Sequence, residues 1–244
     1  MIWNNERKSA IDTRRLQLAS TLVQEVNPFV QSQIEEANMK LTHITGKSVT
    51  QETVTDQLAG VSLNNTIKIE RTVEVKEWRD VGSDEQRRRE LQWVTTNSSA
   101  EGNDPSAWFI NNEVTRARQV NIGNYYLSQG QIDQLSCTQS YSPNMQNAQY
   151  IAQNCRRQIN YPPVIQGGYI YFPSSGGGIE EHQTLRVKFD FCPNGDISVV
   201  ARSHGNTFEP FEIDKYENEG EEDTSSGCDC CCCFMCACAE VFPS

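Results

Sequence analysis

The sequence has few of the residues from which catalytic and metal sites are most often built. It has three histidines, His43, His182 and His204, in 244 residues. None lies in a zinc-protease or nucleophile-elbow pattern. Gly176-Gly177-Gly178 is not followed by Lys-Ser/Thr, so it is no phosphate loop, and Gly167-Gly168 does not fit a dinucleotide fingerprint. No run approaches the roughly 20 apolar residues needed to cross a bilayer as a helix. Met1-Ile2-Trp3-Asn4-Asn5 lacks the basic and apolar regions of a signal peptide. Basic residues are outnumbered: with a net charge of -11, no nucleic-acid footprint is expected. The clearest basic run, Arg87-Arg88-Arg89, is closed by Glu90.

The default address is therefore the cytosolic side. The sequons Asn64-Asn65-Thr66 and Asn97-Ser98-Ser99 then read as chance matches in polar loops. His182, beside Glu180-Glu181, reads as an exposed loop histidine. No set of side chains forms a defensible catalytic constellation, and the chain is expected to be no enzyme, with no cofactor and no metal site.

Hydrophobic residues make up 37% of the chain, and 15 glycines and 9 prolines punctuate it, so long polar loops are expected around a modest core. Residues 6 to 38 read as helix: Ala10, Leu16, Leu18, Ala19, Leu22, Val23 and Val26 recur near a 3.6-residue period. Pro28 breaks this, leaving Phe29 to Met39 as a second helical piece. From Lys40 the period changes to two. Ile67, Ile69, Val73 and Val75 share one face of a strand from Thr66 to Trp78, with Lys68, Glu70, Glu74 and Lys76 on the other. A shorter strand surrounds Trp93. Alternation returns at Leu185, Val187, Phe189 and Phe191. Pro193-Asn194-Gly195-Asp196 signals a turn, and Ile197, Val199 and Ala201 are expected to complete a hairpin from Leu185 to Arg202. Ile122 to Leu135 reads as a strand end or short helix, and Ser136 to Asn154, rich in Gln, Asn and Ser, as a loop. The fold class is α+β: an N-terminal amphipathic helical arm (residues 1–39) packed on an antiparallel sheet domain (40–214), followed by an acidic linker and cysteine-rich tail without fixed structure (215–244).

Cysteine use is lopsided. Cys137, Cys155 and Cys192 are scattered, and whether Cys137 and Cys155 pair is open. The other seven, Cys228, Cys230, Cys231, Cys232, Cys233, Cys236 and Cys238, fall within eleven residues. Three chemistries suit them. Multiple S-palmitoylation needs cytosolic thiols near apolar neighbours, here Phe234, Met235, Ala237 and Val241. Thiolate metal binding suits the Cys-x-Cys spacings, although no second cysteine block completes a site. Disulfide cross-linking is disfavoured by a reducing compartment. Acylation is the leading reading. Each buried methylene contributes about 0.8 kcal/mol and one chain holds only marginally, so several chains anchor firmly.

Four segments resemble a known family. Arg71-Thr72-Val73-Glu74-Val75-Lys76-Glu77-Trp78 is similar to the Arg-x-Val-Glu-x-x-x-Trp strand of the transmembrane protein 43 (LUMA) family. Val120 to Asp133 resembles its Ile-Gly-x-aromatic-x-Leu-Ser segment, Leu185 to Phe189 its Leu-Arg-Val strand, and Ile197 to Arg202 with Gly205 and Pro210-Phe211 its Val-Ile-Ala-Arg…Pro-Phe close. The order agrees over about residues 5 to 213. The resemblance implies a membrane protein of the endoplasmic reticulum and nuclear envelope that self-associates as a scaffold, with no catalytic residues. On it, the chain is expected to present the family's soluble domain without the spanning helices, acyl chains on the tail taking their place. The expected function is a non-enzymatic scaffold at the cytoplasmic face of a membrane, endomembrane or plasma/ciliary, binding copies of itself or other membrane or cytoskeletal proteins. The alternatives are a thiolate metal-binding module and a structural subunit of a cytoskeletal or ciliary assembly.

Overall fold

The structure, a computed structural model, describes residues 20–82, 88–95, 110–155 and 159–209. These residues are mostly antiparallel β-sheet with a few short helical stretches. They divide into two compact units, one built from the chain up to Val49, Gln119–Ser136 and the chain from Gly195, the other from Thr50–Arg118 and Cys137–Asn194.

The first unit holds β1 (Gln24–Glu25), α1 (Gln31–Glu36), β2 (Leu41–Val49), β8 (Asn121–Ile122), β9 (Tyr125–Tyr126), α2 (Gln129–Gln134), β14 (Asp196–His204) and β15 (Thr207–Glu209). Its sheet runs β15-β14-β2-β8-β9, with β1 lying parallel on β2. Ile44, Ile122, Tyr125 and Ile197 are buried, and Tyr125 stacks on Phe208 with centroids 4.8 Å apart. The Tyr125 hydroxyl lies 3.1 Å from Ser203 Oγ, so the ring's polar end is satisfied in the core.

The second unit holds β3 (Val54–Asp56), β4 (Val61–Leu63), β5 (Thr66–Val81), β6 (Arg88–Thr95), β7 (Glu113–Arg116), β10 (Gln139–Tyr141), α3 (Met145–Asn154), β11 (Val164–Gln166), β12 (Tyr169–Phe172) and β13 (Leu185–Pro193). Its sheet runs β11-β12-β13-β5-β6, with β10 on β13 and β7 on β5. The apolar half of the alternation read in the sequence holds, Ile67, Ile69, Val73 and Val75 being buried with Val187 and Phe189 across the ladder, but Lys68 and Lys76 on the other face are buried as well. The β11–β12 link is a two-residue turn in which Gly167 and Gly168 take φ of 59° and 80°, the left-handed pair that matches the strand twist.

Three expectations change. Leu185 to Arg202 is not a hairpin: β13 pairs β5, from Leu185↔Val75 onward, and β14 pairs β2, from Asp196↔Lys47 to Arg202↔Leu41. Alternation marks each strand as half-buried but does not choose its partner. The supposed turn is instead held by other segments, with the Asn194 amide donating to the Asn65 carbonyl at 2.8 Å and its side chain binding Thr50. Part of the Gln/Asn loop is the helix α3. Asn144 caps it by accepting from the Gln146 and Asn147 amides, and Asn147, Ala148 and Ile151 form a buried stripe too thin to stand out in a polar stretch. Of the expected arm, residues 20–22 are helical and α1 forms within the second piece, but between them the helix is broken by β1, whose pairing continues as the Val26 amide donates to the His43 carbonyl at 3.1 Å. The earlier part of the arm, residues 1–19, lies outside the described residues.

Gly123 is one position where only glycine fits. Its φ is 56°, and a Cβ there would come within 2.5 Å of the Pro28 carbonyl oxygen. Gly167 has similar backbone but open space around it. Gly167→Ala is expected to cost about 1–3 kcal/mol from strain alone, and Gly123→Ala distinctly more. Urea midpoints of the two variants measure the difference.

Candidate functional site

In the second unit, the face of the sheet opposite its apolar core carries charges of both signs, paired in one case across the ladder and in two cases along a strand. Arg186 Nε donates to Glu74 Oε2 at 2.7 Å, and Lys188 Nζ lies 2.7 Å from Asp190 and Lys68 Nζ 2.7 Å from Glu70. The Arg186 guanidinium also sits between Trp93 and Tyr169, 4.3 and 4.5 Å from their centroids. Burial works against its charge, but the Glu74 carboxylate outweighs that and raises its pKa; the Asp190 hydrogen bond likewise raises Lys188. A face neutralised strand by strand suits a structural role better than proton transfer.

Beneath that face, within the apolar side, lies a buried ion pair. Arg71 Nη1 reaches both Asp56 oxygens at 2.6 Å, Nη2 reaches Glu113 Oε2 at 2.6 Å, and Nε donates to the Asn111 carbonyl at 2.9 Å. Asp56 also accepts from the Ala59 amide at 3.0 Å. Removing one partner strands the other as a buried charge.

The free thiols Cys137 and Cys192 lie near Lys68 and Glu70. Burial pushes Cys192 up to about 11, against the pull of Lys68 and with a smaller push from Glu70. Burial, followed by Glu70, raises Cys137 further still. Neither is a ready nucleophile near neutral pH.

The first unit carries an arrangement that the sequence does not announce. Glu25 on β1, His43 on β2 and Ser198 on β14 lie in a row across three adjacent strands. His43 Nδ1 contacts the Glu25 carboxylate, and Nε2 lies 2.6 Å from Ser198 Oγ. Thr45 Oγ1 is 3.4 Å from the same nitrogen, and Thr45 stands directly opposite Ser198 in the ladder. The imidazole is half-buried, its side chain 28% exposed. Beside the row opens a groove of about 510 Å³, walled by Glu25 and Thr45 and by Val26, Pro28 and Phe29. The three residues are 18 and 155 positions apart. No local motif could reveal them; only the pairing of β1 and β14 with β2 does so.

The other histidines remain isolated from such groupings. His182 is exposed in a loop, where its carbonyl accepts from the Ser174 hydroxyl, and His204 pairs with Glu209 at 2.6 Å. The tail cysteines from Cys228 to Cys238 lie outside the described residues. Among the described residues no group of three or more His, Cys, Asp or Glu side chains is placed to hold a metal ion, and no helix is long and apolar enough to cross a membrane.

A family model described as Transmembrane protein 43 matches residues 75–224. The chain is also 25% identical, over 241 residues, to proteins named Transmembrane protein 43 from Pongo abelii and from Homo sapiens; each alignment covers 86% of this chain and 57% of the relative. The chain thus spans somewhat over half the length of the curated relatives it matches. No solved structure matches it.

Two outcomes test the physical picture of the second unit. Asp56→Ala is expected to cost about 3–5 kcal/mol, and adding Arg71→Met to recover much of that, as read by denaturant unfolding. Because the folded pKa of Cys192 lies above the unfolded value of 9.0, its contribution is fully present below pH 9 and is lost as the pH rises through about 11. Stability over pH 9–11 should therefore fall less steeply in Cys192→Ala than in the parent chain.

Proposed function

The chain belongs to the transmembrane protein 43 family, and from that membership we propose that it works as a membrane-associated scaffold held at the bilayer by S-acylation of its cysteine cluster. The observation that carries this reading is the placing of seven cysteines, Cys228 to Cys238, within eleven residues beside Phe234 and Met235. A single acyl chain binds reversibly, whereas two or more hold firmly, since each buried methylene adds about 0.8 kcal/mol. The acidic stretch before the cluster, Glu217 to Asp223, spaces the anchor from the folded units and is repelled by anionic lipid; several acyl chains outweigh that repulsion. Thioesters form on reduced thiols, which favours the cytoplasmic face for such an anchor. The paired charges and packed aromatic residues of the second unit offer a rigid, neutral surface for copies of the chain or for other membrane or cytoskeletal proteins.

Neutral hydroxylamine is expected to release the full-length protein from isolated membranes, and acyl-exchange labelling to add mass within residues 228–238. Replacing all seven tail cysteines with serine should move the chain towards the soluble fraction. A membrane fraction unchanged by both treatments would overturn the lipid-anchor reading.

A further inference from the structure

We infer that Ser198 is an activated nucleophile that accepts acyl groups from small esters, with His43 as its base, Glu25 as the residue that positions the imidazole, and the groove along Thr45 and Phe29 as the seat of the acyl group. The geometry carries the assignment. An ionised Glu25 carboxylate can only accept hydrogen bonds, so the ring proton belongs on Nδ1. That leaves Nε2 as an acceptor, facing the Ser198 hydroxyl at 2.6 Å, within the range a proton transfer requires. The order carboxylate, imidazole, hydroxyl is the one by which a serine is activated on unrelated folds. All three side chains rise from paired strands rather than loops, so their spacing is held by ladder hydrogen bonds.

The surroundings fit an ester better than a charged substrate. The His43 carbonyl accepts from Val26 on the β1 side of β2, so by alternation Thr45 forms a non-hydrogen-bonded pair with Ser198, the arrangement in which facing side chains lie closest. The Thr45 hydroxyl is thereby placed to donate to the oxygen of a carbonyl under attack at Ser198. The groove adjoins the row through Glu25 and Thr45 rather than being lined by His43 or Ser198; Val26, Pro28 and Phe29 give it an apolar side and Asn27 and Gln33 a polar, uncharged one, and Phe29 is 67% exposed. About 510 Å³ admits a short acyl chain and its alcohol.

The step balances without a co-reactant. Ser198 Oγ attacks the carbonyl carbon while its proton passes to His43 Nε2. The bond to the alcohol oxygen breaks, and that oxygen leaves with the proton from Nε2. Water then repeats the route, releasing a carboxylic acid and restoring the hydroxyl. This activity does not depend on the lipid anchor, which lies in residues 228–238.

The test uses the full-length chain with a fluorophosphonate, from which Ser198 Oγ would displace fluoride, and peptide mass spectrometry to locate the adduct. A single adduct on Ser198 is expected. Labelling should vanish in Ser198→Ala and slow by about 100-fold or more in His43→Asn. Glu25→Ala should slow it and, in ¹⁵N spectra, shift the His43 ring away from the Nδ1–H tautomer, a change that a merely structural role would not produce. Circular dichroism of each variant separates loss of reactivity from loss of fold, and Thr45→Val, which removes the hydroxyl placed to donate to the carbonyl oxygen, is expected to slow labelling while leaving the fold unchanged. No adduct on Ser198 in the folded parent chain, or an equal rate in folded His43→Asn, would overturn the inference whatever the outcome at the tail.

Discussion

A buried guanidinium organises the larger of the two units. Arg71 projects from β5 into the apolar side of the sheet, where an unpaired charge would be costly enough to unfold a marginal domain. Its neighbours remove that cost. Asp56 faces it from β3, Glu113 from β7, and the Asn111 carbonyl from the segment leading into β7. Each partner belongs to a segment that would otherwise be loosely attached: β3 and β4 form a two-stranded ribbon, and β7 pairs only four residues of β5. Satisfying one cation therefore fixes two pieces of chain, β3 and the segment from Asn111 through β7, against the central strand. Pairs of this kind add little net stability over an apolar core, but they make wrong registers expensive.

The same strand explains why the opposite face is charged and yet orderly. β5 is 16 residues long and pairs with β13, β6 and β7, so its outward side chains meet those of three neighbours. The face reads Lys68, Glu70, Thr72, Glu74, Lys76 along β5, and the register sets Glu74 opposite Arg186 but Glu70 opposite Asp190; those two carboxylates are met within their own strands, by Lys68 and Lys188. Trp93 and Tyr169 cover the Arg186 guanidinium from both sides, which holds a long side chain in one place. Such a surface is preorganised, as a scaffold's should be, and has little charge left over for acid–base work.

The first unit is built differently. Its sheet has a short parallel edge strand, β1, that brings one carboxylate beside one imidazole, and β14 brings a hydroxyl to the other side. Scaffolding and a reactive serine are compatible in one chain because they draw on separate residues. The proposed anchor draws on thiols far along the chain, and the row depends on strand order.

Much of this was legible beforehand. Period-two alternation marked β5, β13 and β14 and named their buried residues, because a strand's two faces meet different solvents. The order of four short segments was enough to point to the family. The cysteine cluster, too, is a property of sequence alone. Strand partners were another matter. Pro193-Asn194-Gly195-Asp196 has good turn chemistry, yet β13 and β14 part there, β13 joining β5 and β14 joining β2. The helix α3 hid in a polar stretch because its buried stripe is only one residue wide per turn. Glu25, His43 and Ser198 look unremarkable one at a time. Chemistry between residues 155 positions apart exists only once hydrogen-bonded strands set them side by side, and strand pairing is a choice among competing long-range contacts that local patterns do not record.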